Sequence, residues 1–466
     1  MNTKTWRLWN EDGALGDAAV RARWATQFWH SLGTFGHPFH VFFACLWCLT
    51  CVGPASGVEI LWVPLVTVVV LRLPYVWRAW GDVIVQPALL CALLLAVWGA
   101  ISTNWSDSPA QGWHEILNIR WMLAAWAMWG VMNRRRWYIW CMCVGLLAAV
   151  VAQCAEYVGL KNGIELFSHP PAPDELARVS GWWHQPALGG AMLVGALGMF
   201  VGPTVFGSGW RRWCGFLGCG ACALGMFLAG SRGAILAGSF LVTITVLLSV
   251  ALDVRAKRWK RLWRVVAVSA GIKLAIVGIV FALPAAAKMR ERVETGTSQV
   301  IAAITGHRTT GEVDYDSDMG ARIVAAKAAL NAAKEHPLLG VGAGGFDGAA
   351  LKYVRENNVN IQEWRVVKLR TAHNVYLHTF ATLGVVGLLL LLASLGFGLW
   401  GASVEWRQYG ERSLGWFASS PFFALIGLAI VANFETLHTN MSSAAFVTML
   451  LALCGWVRVG EDVDPR

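Results

Sequence analysis

Apolar residues in this chain fall into long blocks separated by short polar or charged intervals. The blocks lie at roughly 39–55, 59–77, 84–102, 116–132, 137–158, 184–206, 212–230, 233–252, 265–284, 374–402, 416–433 and 441–458. Each runs about 17–25 residues, long enough for an α-helix to cross a bilayer. The pattern predicts an all-α polytopic membrane protein with about twelve transmembrane helices. Ahead of the first block, Trp6, Leu8, Trp9, Val20, Trp24, Phe28 and Trp29 alternate with Lys4, Arg7, Arg21 and Arg23. Such a stretch suits a membrane surface, and it lacks the apolar core and small-residue cleavage site of a signal peptide.

Composition agrees with the pattern. Of 466 residues, 56% are hydrophobic and 14% charged, which is not the balance of a soluble enzyme. The 27 Trp suit anchoring at headgroup level. The net charge of +10 would fit a nucleic-acid partner, but its distribution has a simpler cause. One set of loops carries Arg72 and Arg78, Arg134-Arg135-Arg136, Arg211-Arg212, the run from Arg255 to Arg264, then Arg407 and Arg412. Loops 53–58, 103–115 and 434–440 hold no Lys or Arg. Positive loops stay inside, so both termini are expected in the cytoplasm and the bare loops outside it. The Arg255–Arg264 run is then an expected contact for anionic lipid, not nucleic acid.

The division expected is therefore a cytoplasmic interfacial segment 1–36, nine transmembrane helices in 37–284, a large periplasmic loop 285–372, three helices in 373–458 and a cytoplasmic tail 459–466. All 11 Cys lie in or beside apolar spans and none lies within 285–372, so the loop has no disulfide framework. Cys45, Cys48 and Cys51 recur among Phe, Leu and Trp and read as apolar filler; no metal site is expected. Glycines 189, 190, 195 and 198 in the sixth span would permit close helix contact.

The large loop is partly helical. Met319–Glu335 places Ile323, Ala326, Leu330 and Ala333 at helical spacing, and the helix should stop at His336-Pro337. The glycine cluster at 340–345 could cradle phosphate, but it lacks the Lys and Ser/Thr of a nucleotide loop. Asp314-Tyr-Asp316-Ser-Asp318 fails as a calcium loop, with Met319 in place of the required Gly and Ala325 in place of Glu.

Candidate chemistry gathers where this loop re-enters the membrane. The stretch Arg370 to His378 carries His373, Asn374, Tyr376 and His378 and then passes into hydrocarbon. Three arginines sit where the orientation bias disfavours them: Arg120, Arg178 just before His184-Gln185-Pro186, and Arg232 in a connection of a few residues. With Arg322 and Arg370 they form a set suited to a ligand bearing more than one phosphate, because guanidinium grips phosphate oxygens bidentately. His373 would be the base that takes a proton from an acceptor hydroxyl. Clustered arginine can neutralise a departing pyrophosphate, which describes group transfer from a membrane-bound pyrophosphate donor. Tyr376, His378, Glu435 and His438 are possible supporting partners, and Lys273 is the clearest mid-span charge.

The order Gly230-Ser231-Arg232-Gly233-Ala234, then Arg322 followed by His336-Pro337-Leu338-Leu339-Gly340-Val341-Gly342 and Phe346, then His373-Asn374-Val375-Tyr376-Leu377 with Gly384-Val385-Val386-Gly387, resembles the bacterial O-antigen ligase family. O-antigen polymerases and pilin O-oligosaccharyltransferases share much of it. The resemblance covers roughly residues 178–395. It implies transfer of a polysaccharide from undecaprenyl pyrophosphate to the lipid A–core sugar, at the periplasmic face of the inner membrane, without metal, cofactor or ATP. Arg232 and Arg322 match the family's arginines, and His373 matches its essential histidine. Arg178, Arg120 and Arg370 rest on charge placement. Ala187 follows His184-Gln185-Pro186 where the pilin-modifying branch has Asn, which favours the ligase. A lipid-linked glycan flippase is the alternative of a different class, and would be expected to carry charge at mid-membrane.

Overall fold

The computed structural model describes residues 36–77, 80–84, 86–166, 178–183, 185–207, 209–255, 318–363, 370–409, 415–437 and 441–455, with the isolated residues 257, 259 and 263. The regular elements among them are all helices. In chain order the longer ones are α1 (His37–Thr50), α2 (Ala55–Leu71), α3 (Pro87–Ser102), α4 (Pro109–Ile119), α5 (Leu123–Trp129), α6 (Arg135–Lys161) and α7 (Pro186–Phe206). There follow α8 (Trp210–Ala229), α9 (Arg232–Arg255), α10 (Asp318–Glu335), α11 (Phe346–Glu356), α12 (Val375–Tyr409), α13 (Gly415–Val431) and α14 (Met441–Gly455). Six stretches among the described residues are long and apolar enough to cross a membrane: Pro87–Trp105, Arg135–Lys161, Pro186–Phe206, Trp210–Ala229, Arg232–Ala251 and Val375–Trp406. Four shorter apolar helices join them. The chain is a multi-pass membrane protein. The expected span at 265–284, the Asp314 turn, most of the Arg255–Arg264 run and Lys273 lie outside the described residues.

The expected span at 116–132 is broken. It divides into α4, a 3-10 turn at Arg120–Met122 and the seven-residue α5. The cause is local. Leu117 O accepts both the backbone N–H and the side chain of Arg120, so the regular ladder tightens there.

α7 is the axis of the bundle. Nearly all of it is buried, and it packs on α8, α9 and α13. Its glycines allow this closeness. A side chain at Gly198 would meet Phe423 O at 2.3 Å, and one at Gly190 would meet Ser231 Cβ at 2.8 Å. At the opposite end from His373, a buried ion pair of Arg135 with Glu405 ties α6 to α12.

A second, smaller core lies under α10 and α11. Here the expectation for α10 needs correction. Its buried face is a stripe of Ala321, Val324, Ala325, Ala328, Ala329, Ala332 and Ala333; of the expected positions Ala333 is buried, Ile323 and Ala326 are half-buried and Leu330 is exposed. Small side chains let α10 lie close against α11 and α12, so contact distance selected the face and not side-chain size.

Candidate active site

His373 is fixed by the way its strand of chain meets the end of α13. Val375 N–H donates to Ala432 O at 2.7 Å, and Tyr376 Oη donates to Ala429 O at 2.8 Å. Asn374 caps the start of α12 by accepting from Leu377 N–H at 2.9 Å, and its amide reaches Asn433 O at 3.3 Å. His373 itself takes a left-handed backbone, φ 49°, as does Arg370 at φ 51°. A non-glycine residue in that region is worth noticing, and here it lies at the mouth of the helix, between two anchored segments.

The imidazole then faces Glu435. His373 Nδ1 lies 3.3 Å from Glu435 Oε1, and Arg322 Nη2 lies 3.9 Å from Glu435 Oε2. Arg322 Nη1 also donates to Phe434 O at 3.5 Å. Burial works against the charge on Glu435, but His373, Arg322 and the Thr436 N–H outweigh it and hold the carboxyl below its ordinary value. The carboxylate is 13% exposed, the His373 side chain 17% and that of Arg322 35%, so the cluster opens toward the arginine. The Gly230–Gly233 turn completes this wall. A side chain at Gly233 would meet Phe434 Cβ at 2.7 Å, which sets Arg232, the first residue of α9, beside the Phe434–Glu435 corner.

The other predicted residues divide. Arg178 precedes Val179, whose N–H donates to Leu228 O at 2.9 Å, so its backbone runs beside the turn that delivers Arg232. Glu156 secures this segment by accepting from Gly181 N–H at 2.5 Å. Arg370 is exposed and acts on Asp347: burial raises that carboxyl and the Arg370 charge lowers it in part. Arg120 has different company, an ion pair of 2.8 Å with Glu59, with its guanidinium over the Trp121 ring. Tyr376 holds the backbone of α13. His378 is fully buried, with Nε2 4.0 Å from Glu115 Oε2 and its ring edge-on to Phe346. It therefore braces the first turns of α12. His438 and His184 lie outside the described residues.

The glycine cluster does not cradle phosphate. Its N–H groups serve the protein: Val341 donates to Ala381 O, Gly342 to Thr382 O, Ala343 to Ser102 Oγ at 3.0 Å, and Gly344 to Glu115. It is a clasp. It grips α12 at the break at Gly384, where φ is 66° and ψ −169°, and a side chain would meet Leu338 O at 2.1 Å. Glu115 is the residue sequence reasoning missed. Burial pushes its carboxyl up to about 7, against hydrogen bonds from Gln111 and Gly344 and with a further rise from Asp347. The only signal in the sequence was an acid at the end of a loop bare of Lys and Arg.

Around one opening the site thus collects a buried carboxylate, an imidazole with Nδ1 turned inward, a guanidinium on the same carboxylate, and a second arginine at a helix start. That set can remove a proton and hold an anion. Residues 217–392 match the model of a family described as O-antigen ligase, a stretch that includes Arg232, Arg322, Arg370 and His373 and ends before Glu435. No curated protein matches the chain.

Proposed function

We propose that this chain, a member of the O-antigen ligase family, joins O-antigen polysaccharide from undecaprenyl pyrophosphate to the lipid A–core oligosaccharide. The reaction takes place at the periplasmic face of the inner membrane, with both termini cytoplasmic, residues 285–372 outside and about twelve helices crossing. One observation carries the reading above the others: Glu435 faces His373 with one oxygen and Arg322 with the other, beside the turn that presents Arg232.

With Nδ1 directed at Glu435, Nε2 is the nitrogen left for the acceptor. It takes the proton of the sugar hydroxyl as that oxygen bonds to the anomeric carbon of the donor. The bond between that carbon and the pyrophosphate oxygen breaks, and its electron pair leaves on undecaprenyl pyrophosphate. Arg322 and Arg232 stabilise the charge that develops, with Arg178 and Arg370 at the approaches. Arg120, paired with Glu59, serves the outer membrane boundary.

The test is transfer by purified protein in detergent with EDTA, an undecaprenyl-pyrophosphate-linked glycan, and lipid A–core or a pilin-type protein as acceptor. Glycan on lipid A–core supports the ligase. Lengthening of the donor's own glycan points to a polymerase, and glycan on protein to an oligosaccharyltransferase. Movement of glycan across a proteoliposome membrane with no covalent product would overturn the enzyme reading in favour of a flippase.

A further inference from the structure

α8 ends at the catalytic wall and runs 20 residues away from it, about 30 Å of helix. At its far end Trp210, Arg211, Arg212 and Trp213 open the helix, and α6 begins alongside with Arg134, Arg135 and Arg136 before it and in its first turn. Arg135 turns inward to Glu405. The two helix starts are joined by Trp140 and Trp210, whose rings stack at 5.8 Å and 14°, and the Arg211 guanidinium lies 5.9 Å from the Trp210 ring. Each helix also exposes apolar residues along its length, Trp137 and Val144 on α6, Trp213 and Leu217 on α8, all more than half accessible. Gly220 leaves open space beside those on α8.

We propose that the groove between these two helix starts is a binding site for an anionic phospholipid of the leaflet opposite the catalytic face. Arg134, Arg136, Arg211 and Arg212 hold the phosphate, helped by the positive ends of two long helices, and the acyl chains lie along the apolar stripes. Orientation bias explains arginines here and lipid exposure explains apolar stripes; what neither explains is the Trp140–Trp210 stack, which joins the two helix starts and so brings both sets of arginines to one place. A polyanion such as nucleic acid would match the charge and leave those stripes without a purpose. The site depends on no reading of the chemistry at His373.

Native mass spectrometry of the full chain released from nanodiscs of equal phosphatidylglycerol and phosphatidylcholine tests this. Wild type should retain phosphatidylglycerol in preference to phosphatidylcholine. R211Q/R212Q should lose that preference by at least about tenfold, each surface arginine being worth about fivefold. K161Q, at the opposite end of α6, should leave it unchanged, and millimolar inorganic phosphate should not compete. Trp210→Ala checks the groove without altering charge and should also weaken retention. Equal retention of both lipids by wild type, or undiminished preference in R211Q/R212Q, would overturn the proposal. So would displacement by inorganic phosphate, which would mark a headgroup-only anion site.

Discussion

Glu435 faces the His373 imidazole with one oxygen and the Arg322 guanidinium with the other, so it positions both side chains. Glu435→Gln keeps an oxygen facing Nδ1 but removes the charge that offsets an imidazolium. Transfer should fall roughly tenfold, about 1.4 kcal/mol of barrier, while donor binding survives. Single-turnover rates against donor affinity will show it, and an unchanged rate would remove Glu435 from the mechanism. Glu115 makes a prediction about pH. Its folded value, about 7, stands above the ordinary 4.5, so the folded state holds the proton more tightly. Its contribution is present below the unfolded value and is lost as pH rises through 7. Wild type should therefore lose thermal stability between about pH 4.5 and 7, and Glu115→Gln should flatten that slope, His378 and Asp347 being the titratable groups that face it. At this scale the sequence was most legible where a charge broke the orientation rule. Arg232 stood out in this way and begins α9 beside the Phe434–Glu435 corner, while Arg322, noted at the start of the loop helix, lies 3.9 Å from Glu435. Arg120 stood out for the same reason and answers to Glu59, because charge placement does not say which partner is near.

The elements depend on backbone features that composition does not reveal. A single apolar run from 374 to 402 read as one span, yet α12 breaks at Gly384. Nothing in hydrophobicity distinguishes a glycine inside a helix from one whose conformation only glycine adopts. Gly384→Ala should cost at least about 2 kcal/mol, from backbone strain and from collision with Leu338 O. A drop in the unfolding midpoint together with lost transfer is expected; an unaltered midpoint would mean that the break is not required. The glycines at 340–345 were legible as a special loop but not as a clasp, since their partners, Ala381, Thr382, Ser102 and Glu115, come from distant segments. For α10 the helix was legible and its face only in part: Ala333 is buried as expected, but the alanine stripe takes the place of Leu330.

Across the whole molecule, one face gathers His373, Glu435 and two arginines, and the other the Arg135–Glu405 pair and a belt of Arg and Trp. Helical class and membrane residence followed from block length and composition, which are averages that tertiary contacts do not disturb. The measurement that bears most directly on the central claim compares wild type with His373→Ala and Arg232→Ala for glycan transfer to lipid A–core, with donor binding followed in parallel. The account predicts that His373→Ala binds donor yet loses at least about a hundredfold in transfer, as expected when a general base is removed. Arg232→Ala should lose both. Transfer by His373→Ala at the wild-type rate would contradict it.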